Sequence, residues 1–458
     1  MSSSVHQTWS SRGAFLLATA GAAVGLGNVW RFPFVTGQNG GAAFVLVYLA
    51  CVFLIGVPII MAELAMGRMA QLSPIGTINA LVSKEHAGPI WRAIGFLSLA
   101  VPFMGFSYYS VVAGWSLYYT ADAMLGAFQA MSTAESQTLF GGLVAAPLTN
   151  VLLQGAVLMA TAAIVGGGLR GGIERATKIM MPGLLLILLI MIGYNLVAAD
   201  IGQAFTFLFA PDFSRLTMTS ILIALGQAFF SVGVGVGFMI TYGAYLPKDV
   251  SIPRAAVTVA SVDTLVALLA GLAIFPIVFS SGLDPSEGPG LVFMTMPVAF
   301  GVMPLGYLLG ILFFLLLVLA AFTTTIGMLE PIVSYLEERW RSSRLVMSCA
   351  AGLVVWMSGV FPALSDNVLA GVRPVSFIPA LADKSVFEVY DFLTASVLIP
   401  INALLIALFA GWIVTRSAFE QELAMDRDKA FSFPLWHILI RYVVPFAVLV
   451  ITVTGLMG

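Results

Sequence analysis

The chain is poor in charge. Its 458 residues carry 20 Lys and Arg and 22 Asp and Glu, which is 9% charged residues, whereas a soluble domain has about 25%. A net charge of −2 offers no basic surface for nucleic acid. Hydrophobic residues make up 60% of the chain, and the mean hydropathy is +1.02. We therefore expect a polytopic membrane protein in a lipid bilayer, with no nucleic-acid partner.

Cysteine and histidine are also scarce. The two cysteines, Cys51 and Cys349, fall in apolar segments, so we expect buried free thiols and no disulfide framework. Three histidines, without a CxxC, HExxH or P-loop motif, leave little material for a metalloenzyme or for ATP hydrolysis. An intramembrane enzyme would have to use Asp263, Glu63 and Glu330, and no catalytic motif surrounds them. The sequence therefore predicts a protein that is not an enzyme.

Long apolar segments account for most of the chain. A membrane-spanning helix needs about 20 mainly apolar residues. Segments that meet this requirement, numbered here as spans 1 to 11, are 12–36, 41–67, 89–125, 147–168, 176–198, 217–245, 254–281, 304–338, 345–363, 387–415 and 434–457. A cytoplasmic N-terminus places most Lys and Arg inside and leaves only Arg31, Arg215, Arg373 and Lys384 outside. Eleven spans then put the C-terminus outside.

Two of these spans are crowded with glycine. Span 1 contains GAAVGLGNVWRFP at 21–33, and span 6 contains GQAFFSVGVGVG at 226–237. Close helix packing, the alternative explanation, usually spaces small residues four apart on one face, whereas the glycines at the end of span 6 are two apart. The glycines therefore predict interrupted helices, whose exposed backbone groups bind ions and polar groups at mid-membrane.

The two interrupted spans lie five apart, so they run antiparallel. This spacing predicts an inverted repeat, with five helices in each half. We divide the chain into a cytoplasmic N-terminal segment (1–11), the first repeat (12–198), an extracellular loop (199–216), the second repeat (217–415), and a cytoplasmic linker with the eleventh helix (416–458).

Several sequence motifs, including the two glycine-rich segments, resemble those of the neurotransmitter:sodium symporter family. The resemblance covers almost the whole chain and is carried by AVGLGNVWRFP at 23–33, NGG at 39–41, PIIMAELAMGR at 58–68, GGIERATKIMMP at 171–182, GQAFFSVGVGVG at 226–237, AFTTTIGMLEP at 321–331 and the region of Asp391. It implies an all-α polytopic membrane protein with a leucine-transporter-type 5+5 inverted repeat. Its first and sixth helices would be discontinuous, and eleven transmembrane helices are typical of the shorter bacterial members.

The resemblance also implies two sodium sites. The first, next to the substrate, would use oxygen atoms of Ala23, Asn28, Ser231 and Asp263. The family usually has asparagine where this chain has Asp263, and a carboxylate at membrane depth is costly enough to suggest a function. With Tyr48, Gln227 and Ser231 nearby, Asp263 is similar to the built-in acid that replaces chloride in some members. We therefore expect chloride-independent transport; a paired structural carboxylate is the alternative.

The second implied sodium site lies between spans 1 and 8. It would use the carbonyls of Gly21, Val24 and Ala320 and the hydroxyls of Thr323 and Thr324. Hydroxyls inside apolar helices often bond only to the preceding turn, which is the alternative explanation.

The implied substrate is an α-amino acid. N–H groups near Leu26 and Gly27, with the Tyr109 hydroxyl, would hold its carboxylate at the N-terminus of a half-helix. Carbonyls of Ala23, Phe230 and Ser231 would receive its ammonium group. Relatives that carry monoamines have aspartate where this chain has Gly25. The side-chain pocket would be lined by Ala22, Gly105, Tyr109, Phe230, Gly233, Val236, Thr324 and Met328, which suits large apolar or aromatic side chains.

The resemblance places gates on both sides of this pocket. Arg31 and Asp391 would form an outer ion pair, above a lid made of Tyr109 and Phe230. Trp9, Tyr245 and Glu338 match inner-gate positions, and the family commonly has arginine at or near His6. Glu63 resembles a residue that bonds the unwound backbone of the sixth helix.

Together these features imply a sodium-coupled symporter that moves neutral, mainly hydrophobic or aromatic L-amino acids into the cell by alternating access. The alternatives are a transporter of an amine or another small zwitterion, or an amino-acid sensor without net transport. We expect the protein to lie in a bacterial inner membrane, as a monomer or weak dimer.

Overall fold

The computed structural model describes residues 7–283, 291–378, 381–423 and 432–457, and these residues are helical with connecting turns and no β-strand. Nine of their helices are long and apolar enough to cross a membrane. They are Ala42–Ala70, Pro89–Met124, Pro147–Gly166, Leu169–Ala198, Ile252–Ser280, Gly306–Trp340, Arg344–Ala363, Val386–Ile413 and Phe433–Thr452. They coincide with predicted spans 2 to 5 and 7 to 11.

The two remaining predicted spans are helix pairs. In span 1, Arg12–Ala23 and Gly27–Gln38 are bent by 52° relative to each other. In span 6, Met218–Val232 and Phe238–Ala244 flank the non-helical stretch 233–237. Each half of span 6 is shorter than a membrane-crossing helix needs to be, so the two halves must act together to cross. The discontinuous first and sixth helices are thus confirmed.

Shorter helices connect the spans. Pro74–Lys84 follows span 2, Thr133–Val144 follows span 3, and Ile201–Phe209 precedes span 6. Val292–Val302 lies between spans 7 and 8, and Arg416–Leu423 lies between spans 10 and 11.

The break in span 1 has a clear backbone cause. Val24 leaves the helical conformation with φ −67° and ψ 104°. In a continuous helix the N–H groups of Gly25 and Leu26 would bond to the carbonyls four residues before them. Instead, Gly25 N donates to Oδ1 of Asn28 at 3.1 Å, and Leu26 N donates to the Tyr109 hydroxyl at 2.9 Å. The carbonyls of Gly21 and Ala22 are therefore released from their usual helical partners.

The break in span 6 depends on three glycines with positive φ. Gly233, Gly235 and Gly237 have φ values of 66°, 75° and 99°, a region that side chains rarely adopt. A Cβ atom on Gly237 would lie 2.3 Å from the backbone oxygen of Ser98. The alternate glycines therefore allow the backbone of span 6 to unwind, and the absence of a side chain at Gly237 lets span 3 approach closely.

Spans 2 and 6 pack backbone against backbone. A Cβ on Gly67 would lie 2.0 Å from the oxygen of Ile240, and one on Gly243 would lie 2.4 Å from the oxygen of Leu64. This packing fixes the second half of span 6 against a continuous helix, and so positions the unwound stretch.

The two cysteines are free, as predicted, but they are not fully buried, contrary to the prediction. Cys51 and Cys349 are free thiols, but Cys349 is exposed and Cys51 is partly buried. Cys349 lies on the outward face of span 9, which a membrane protein turns toward lipid.

Candidate functional site

A small cavity lies where the two broken spans meet spans 3, 8 and 10. Its volume is about 30 Å³. Its lining includes all eight residues predicted for the side-chain pocket and, in addition, Ala23, Gly25 and Gly27. Sequence reasoning missed Val101, Tyr108, Phe238, Thr394 and Ile399, which also line it. None of the lining residues is charged.

One end of the cavity is polar and crowded. The Tyr109 hydroxyl accepts the hydrogen bond of Leu26 N at 2.9 Å. A Cβ on Gly25 would lie 2.2 Å from Oγ1 of Thr324 and 2.8 Å from the Tyr109 hydroxyl. Any side chain at position 25 would therefore collide with two polar groups. The side chain of Leu26 does not line this small cavity; it lines a second, larger cavity that is described below.

The other end of the cavity is mostly apolar. A Cβ on Gly105 would lie 3.5 Å from Cγ2 of Thr394 and 3.6 Å from Cε of Met328. Gly105 lies one helical turn from Tyr109 on span 3. The site thus combines a polar end at the break in span 1 with an apolar end about one turn away.

Asn28, Ser231 and Asp263 form one buried polar cluster beside this cavity. Nδ2 of Asn28 donates to Oγ of Ser231 at 3.0 Å and to Oδ1 of Asp263 at 2.9 Å. The Ser231 hydroxyl donates to Oδ2 of Asp263 at 2.6 Å. Both carboxylate oxygens of Asp263, which is fully buried, are thus hydrogen-bonded. The structure brings together three of the four residues that the resemblance implies for the first sodium site, on spans 1, 6 and 7, and Ala23 lines the adjoining cavity.

The orientation of Asn28 differs from the implied ligand geometry. Its Oδ1 accepts from Gly25 N, so its Nδ2 rather than its oxygen faces the cluster. The Asn28 amide would have to turn by about 180° to present Oδ1 to a cation, because oxygen and nitrogen lie on opposite sides of the amide group.

The two residues implied in charge compensation have different positions. The hydroxyl of Tyr48 lies 3.0 Å from Oγ of Ser231, so it belongs to the cluster. Nε2 of Gln227 instead donates to the carbonyl of Gly27 at 2.9 Å. Gln227 therefore supports the second half of span 1, because its side chain bonds to the backbone there rather than to Asp263.

A second group of oxygens surrounds the break in span 1. Oγ1 of Thr323 lies within hydrogen-bonding distance of the carbonyl oxygens of Val24 at 3.1 Å and Ala320 at 3.0 Å, and its single hydrogen can be donated to either. Oγ1 of Thr324 lies 3.4 Å from the same Val24 oxygen. A Cβ on Gly21 would lie 3.6 Å from Cβ of Thr323. Thr323 also bonds back to Leu319. The hydroxyls therefore bond both locally and across to span 1.

Glu63 supports the unwound part of span 6. Its Oε1 accepts from Gly235 N at 2.7 Å, while Nδ2 of Asn402 donates to the Gly235 carbonyl at 2.8 Å. The backbone of Gly235 is thus fully paired with two side chains, as backbone at membrane depth requires. Sequence reasoning found Glu63 but missed Asn402.

A larger cavity of about 670 Å³ opens above the small one. Tyr108, Tyr109 and Phe230 line both cavities and so lie between them. Arg31 and Asp391 both line the larger cavity, but in this structure, which describes both residues, they form no ion pair. The guanidinium of Arg31 lies instead 4.6 Å from the centre of the Phe230 ring. The predicted outer pair is thus not formed in this conformation, in which Arg31 packs on the lid.

The opposite side of the small cavity is closed by bonded contacts. Nε1 of Trp9 donates to the Tyr242 carbonyl at 3.1 Å, and its backbone N donates to the Tyr245 carbonyl at 3.2 Å. The Tyr245 hydroxyl donates to Oε1 of Glu330 at 2.6 Å, and Arg344 pairs with the other oxygen of Glu330. The structure is therefore closed on the side of Trp9 and open on the side of Arg31.

The structure describes Glu338, one of the remaining residues predicted for the inner gate, but it does not describe His6. Glu338 accepts hydrogen bonds from the backbone N and the Oγ of Ser73, both at 2.5 Å. Glu338 therefore ties span 8 to the helix Pro74–Lys84. Sequence reasoning missed the role of Arg344 and a contact of Ser10 N with Glu174 at 2.8 Å. His6 lies outside the described residues.

This geometry defines a class of protein. A small central cavity between two broken helices, closed by bonded contacts on one side and separated by aromatic residues from a larger cavity on the other, is typical of alternating-access membrane transporters. No catalytic arrangement accompanies it in the part of the chain that the structure describes.

Comparisons with known proteins agree with this class. A family model described as the sodium:neurotransmitter symporter family matches residues 6–137 and 140–458. An uncharacterised sodium-dependent transporter of Bacillus subtilis is 36% identical, over 97% of this chain and 96% of its own. One from Haemophilus influenzae is 32% identical, over 98% of both chains. The solved structure of MhsT in complex with L-phenylalanine is similar at a TM-score of 0.88 and 38% identity, covering 98% of this chain and 100% of that chain.

The chain therefore belongs to the sodium:neurotransmitter symporter family. It is a sodium-dependent multi-pass membrane transporter of a small molecule, with the leucine-transporter-type fold predicted from the sequence.

Proposed function

We propose that this protein is a symporter that uses sodium to move neutral, mainly hydrophobic or aromatic L-amino acids into the cell. The observation that carries the proposal is the lining of the small cavity, which is polar at the break in span 1, apolar at the other end and without a charged residue. The polar end suits a zwitterionic backbone group and the apolar end suits an uncharged side chain, and the cavity of about 30 Å³ would widen to admit them. The similar MhsT structure holds L-phenylalanine, which supports this class of substrate.

The substrate carboxylate would bind at the start of the second half of span 1. Helix N-termini attract anions through free N–H groups and the helix dipole. Leu26 N is held by the Tyr109 hydroxyl, a group that can turn its own hydrogen toward a carboxylate. This arrangement favours an acid over an amine.

The space around Gly25 supports the same choice. A carboxylate from the protein at this position would stand in for the missing carboxylate of a monoamine substrate. Because even a Cβ would lie 2.2 Å from Thr324 Oγ1, no such side chain fits. This crowding supports a substrate that brings its own carboxylate.

Two sodium ions would accompany the amino acid. The cluster of Asn28, Ser231 and Asp263 supplies hard oxygen atoms and one negative charge for the first. The carbonyls of Val24 and Ala320, with the two threonine hydroxyls, supply neutral oxygens for the second. With Asp263 providing the balancing charge, transport would not need chloride.

The gates suit alternating access in a bacterial inner membrane. With the N-terminus in the cytoplasm, the contacts of Trp9 and Tyr245 close the inner side, and the cavity lined by Arg31 opens outward. This orientation matches the distribution of Lys and Arg.

Binding of a panel of amino acids to the purified protein tests the proposal. The panel comprises Trp, Phe, Leu, Gly, Lys and dopamine, each titrated in sodium chloride and in potassium chloride. We expect tight binding of the large neutral amino acids in sodium only. Tight binding of dopamine or Lys, or equal binding of Phe in potassium, would contradict it.

A further inference from the structure

Thr394 on span 10 has an unusual hydroxyl. The residue is 2% exposed and lines the small cavity, but its Oγ1 has no hydrogen-bond partner. A buried hydroxyl without a partner costs free energy, because its hydrogen bonds to water are lost and not replaced. Its presence in the cavity wall therefore needs an explanation.

Thr36 and Thr264 are also buried without a hydroxyl partner, but neither lines the cavity, and five other threonines within the spans show the usual solution. Each of the following donates its hydroxyl to the carbonyl four residues earlier: Thr19, Thr120, Thr161, Thr177 and Thr452. Thr394 lies in the π-helical turn Leu393–Leu398, where the helix is wider and this bond is not made. Thr324, which also lines the cavity, bonds to the carbonyl of Val24. Thr394 is thus the exception on the wall of the site.

The position of Thr394 connects it with the substrate side chain. Its Cγ2 faces Gly105 at the apolar end of the cavity, about one turn from Tyr109. A rotation of about 120° between staggered χ1 positions would bring Oγ1 to the position that Cγ2 now occupies. The hydroxyl would then face the apolar end, where Val101, Met328 and Ile399 offer no strong hydrogen-bonding group.

We propose that the Thr394 hydroxyl hydrogen-bonds a polar atom on the substrate side chain, and so selects amino acids with an indole N–H or a phenol O–H over Phe. The inference rests on the proposed function and names the substrates within it. The hydroxyl accepts from the indole N–H of Trp, which is donor only, and accepts from or donates to the Tyr hydroxyl. A substrate of this kind supplies the hydrogen-bond partner that Oγ1 of Thr394 lacks within the protein.

Equilibrium binding in sodium tests this directly. The ligands are Trp, 3-benzothienylalanine, in which sulfur replaces the indole N–H, and Phe. For the unmodified protein we expect Trp to bind about 3- to 10-fold more tightly than 3-benzothienylalanine, the range of one net hydrogen bond. In Thr394→Val, which keeps the shape and removes the hydroxyl, this ratio should fall to about 1, while the Kd of Phe changes little. Thr394→Ser should retain the preference.

A matched control separates this role from a general effect of burial. Thr36 is also fully buried with an unpartnered Oγ1, but does not line the cavity, so Thr36→Val should keep the Trp preference. The inference is overturned if Trp and 3-benzothienylalanine bind equally to the unmodified protein, or if their affinity ratio is unchanged in Thr394→Val. Sodium-dependent binding of Phe would still support the proposed function in either case. If no amino acid binds in sodium, the proposed function itself fails.

Discussion

Asn28 and Asp263 are joined by two hydrogen bonds across the membrane interior. Nδ2 of Asn28 donates to the backbone oxygen of Asp263 and to its Oδ1, both at 2.9 Å. These bonds connect the broken span 1 to the continuous span 7. Because a charged side chain at this depth is costly, the pair is expected to serve ion binding rather than stability alone.

Removing the charge of Asp263 should weaken sodium binding. Asp263→Asn keeps the size and most hydrogen bonds but removes the negative charge, which attracts a cation strongly in a low-dielectric site. We expect the sodium concentration for half-maximal substrate binding to rise at least about tenfold, equivalent to about 1.4 kcal/mol. Asp212→Asn, in an exposed turn, is the control. An unchanged sodium requirement would assign Asp263 a structural role.

Chloride should have no effect on the unmodified protein. If Asp263 supplies the balancing charge, no anion needs to bind beside the sodium. We expect substrate binding in sodium gluconate to equal that in sodium chloride within about twofold, an energy difference below about 0.5 kcal/mol. A large loss in gluconate would show that chloride is required.

Filling the space at Gly25 should abolish binding. In Gly25→Ala, the new Cβ would meet Thr324 Oγ1 at 2.2 Å and the Tyr109 hydroxyl at 2.8 Å. Both groups belong to the polar end of the cavity, so we expect a loss of affinity of at least about 100-fold, or about 2.7 kcal/mol. Gly193→Ala on span 5, where nothing lies within 4 Å, is the matched control. Substrate titration of both variants decides, and near-normal affinity in Gly25→Ala would place the substrate elsewhere.

Glu63 should stabilise the fold through the backbone of Gly235. Glu63→Ala leaves Gly235 N buried and unpaired, which costs about 1–3 kcal/mol. Glu63→Gln keeps an acceptor oxygen and should be close to the unmodified protein. Thermal unfolding in detergent measures the difference, and equal Tm values for Glu63→Ala and Glu63→Gln would contradict this role.

Trp9 should hold the inner side closed. Trp9→Ala removes the bond from Nε1 to the Tyr242 carbonyl and leaves a cavity in a buried position. We expect faster hydrogen–deuterium exchange in 12–23, because this half of span 1 loses its contact with span 6. Trp340→Ala, at an exposed position, should leave exchange there unchanged. Equal exchange in both variants would show that Trp9 does not restrain the gate.

The sequence predicted the breaks because glycine at alternate positions has few other uses inside a spanning helix. The resemblance to the family predicted most of the lining residues on spans 1 and 6, but it did not predict Phe238 on span 6. It did not predict Thr394 or Ile399, because the face that span 10 turns inward depends on a π-helical turn that shifts the register. Arg344 was missed because its partner Glu330 belongs to span 8, and the pairing depends on how spans 8 and 9 pack.

Transport in proteoliposomes tests the central claim most directly. Protein reconstituted with sodium outside and potassium inside should accumulate labelled Phe or Trp above the external concentration, and the accumulation should collapse when a sodium ionophore dissipates the gradient. Uptake that never exceeds the external concentration, or that is the same without a sodium gradient, would contradict sodium-coupled symport.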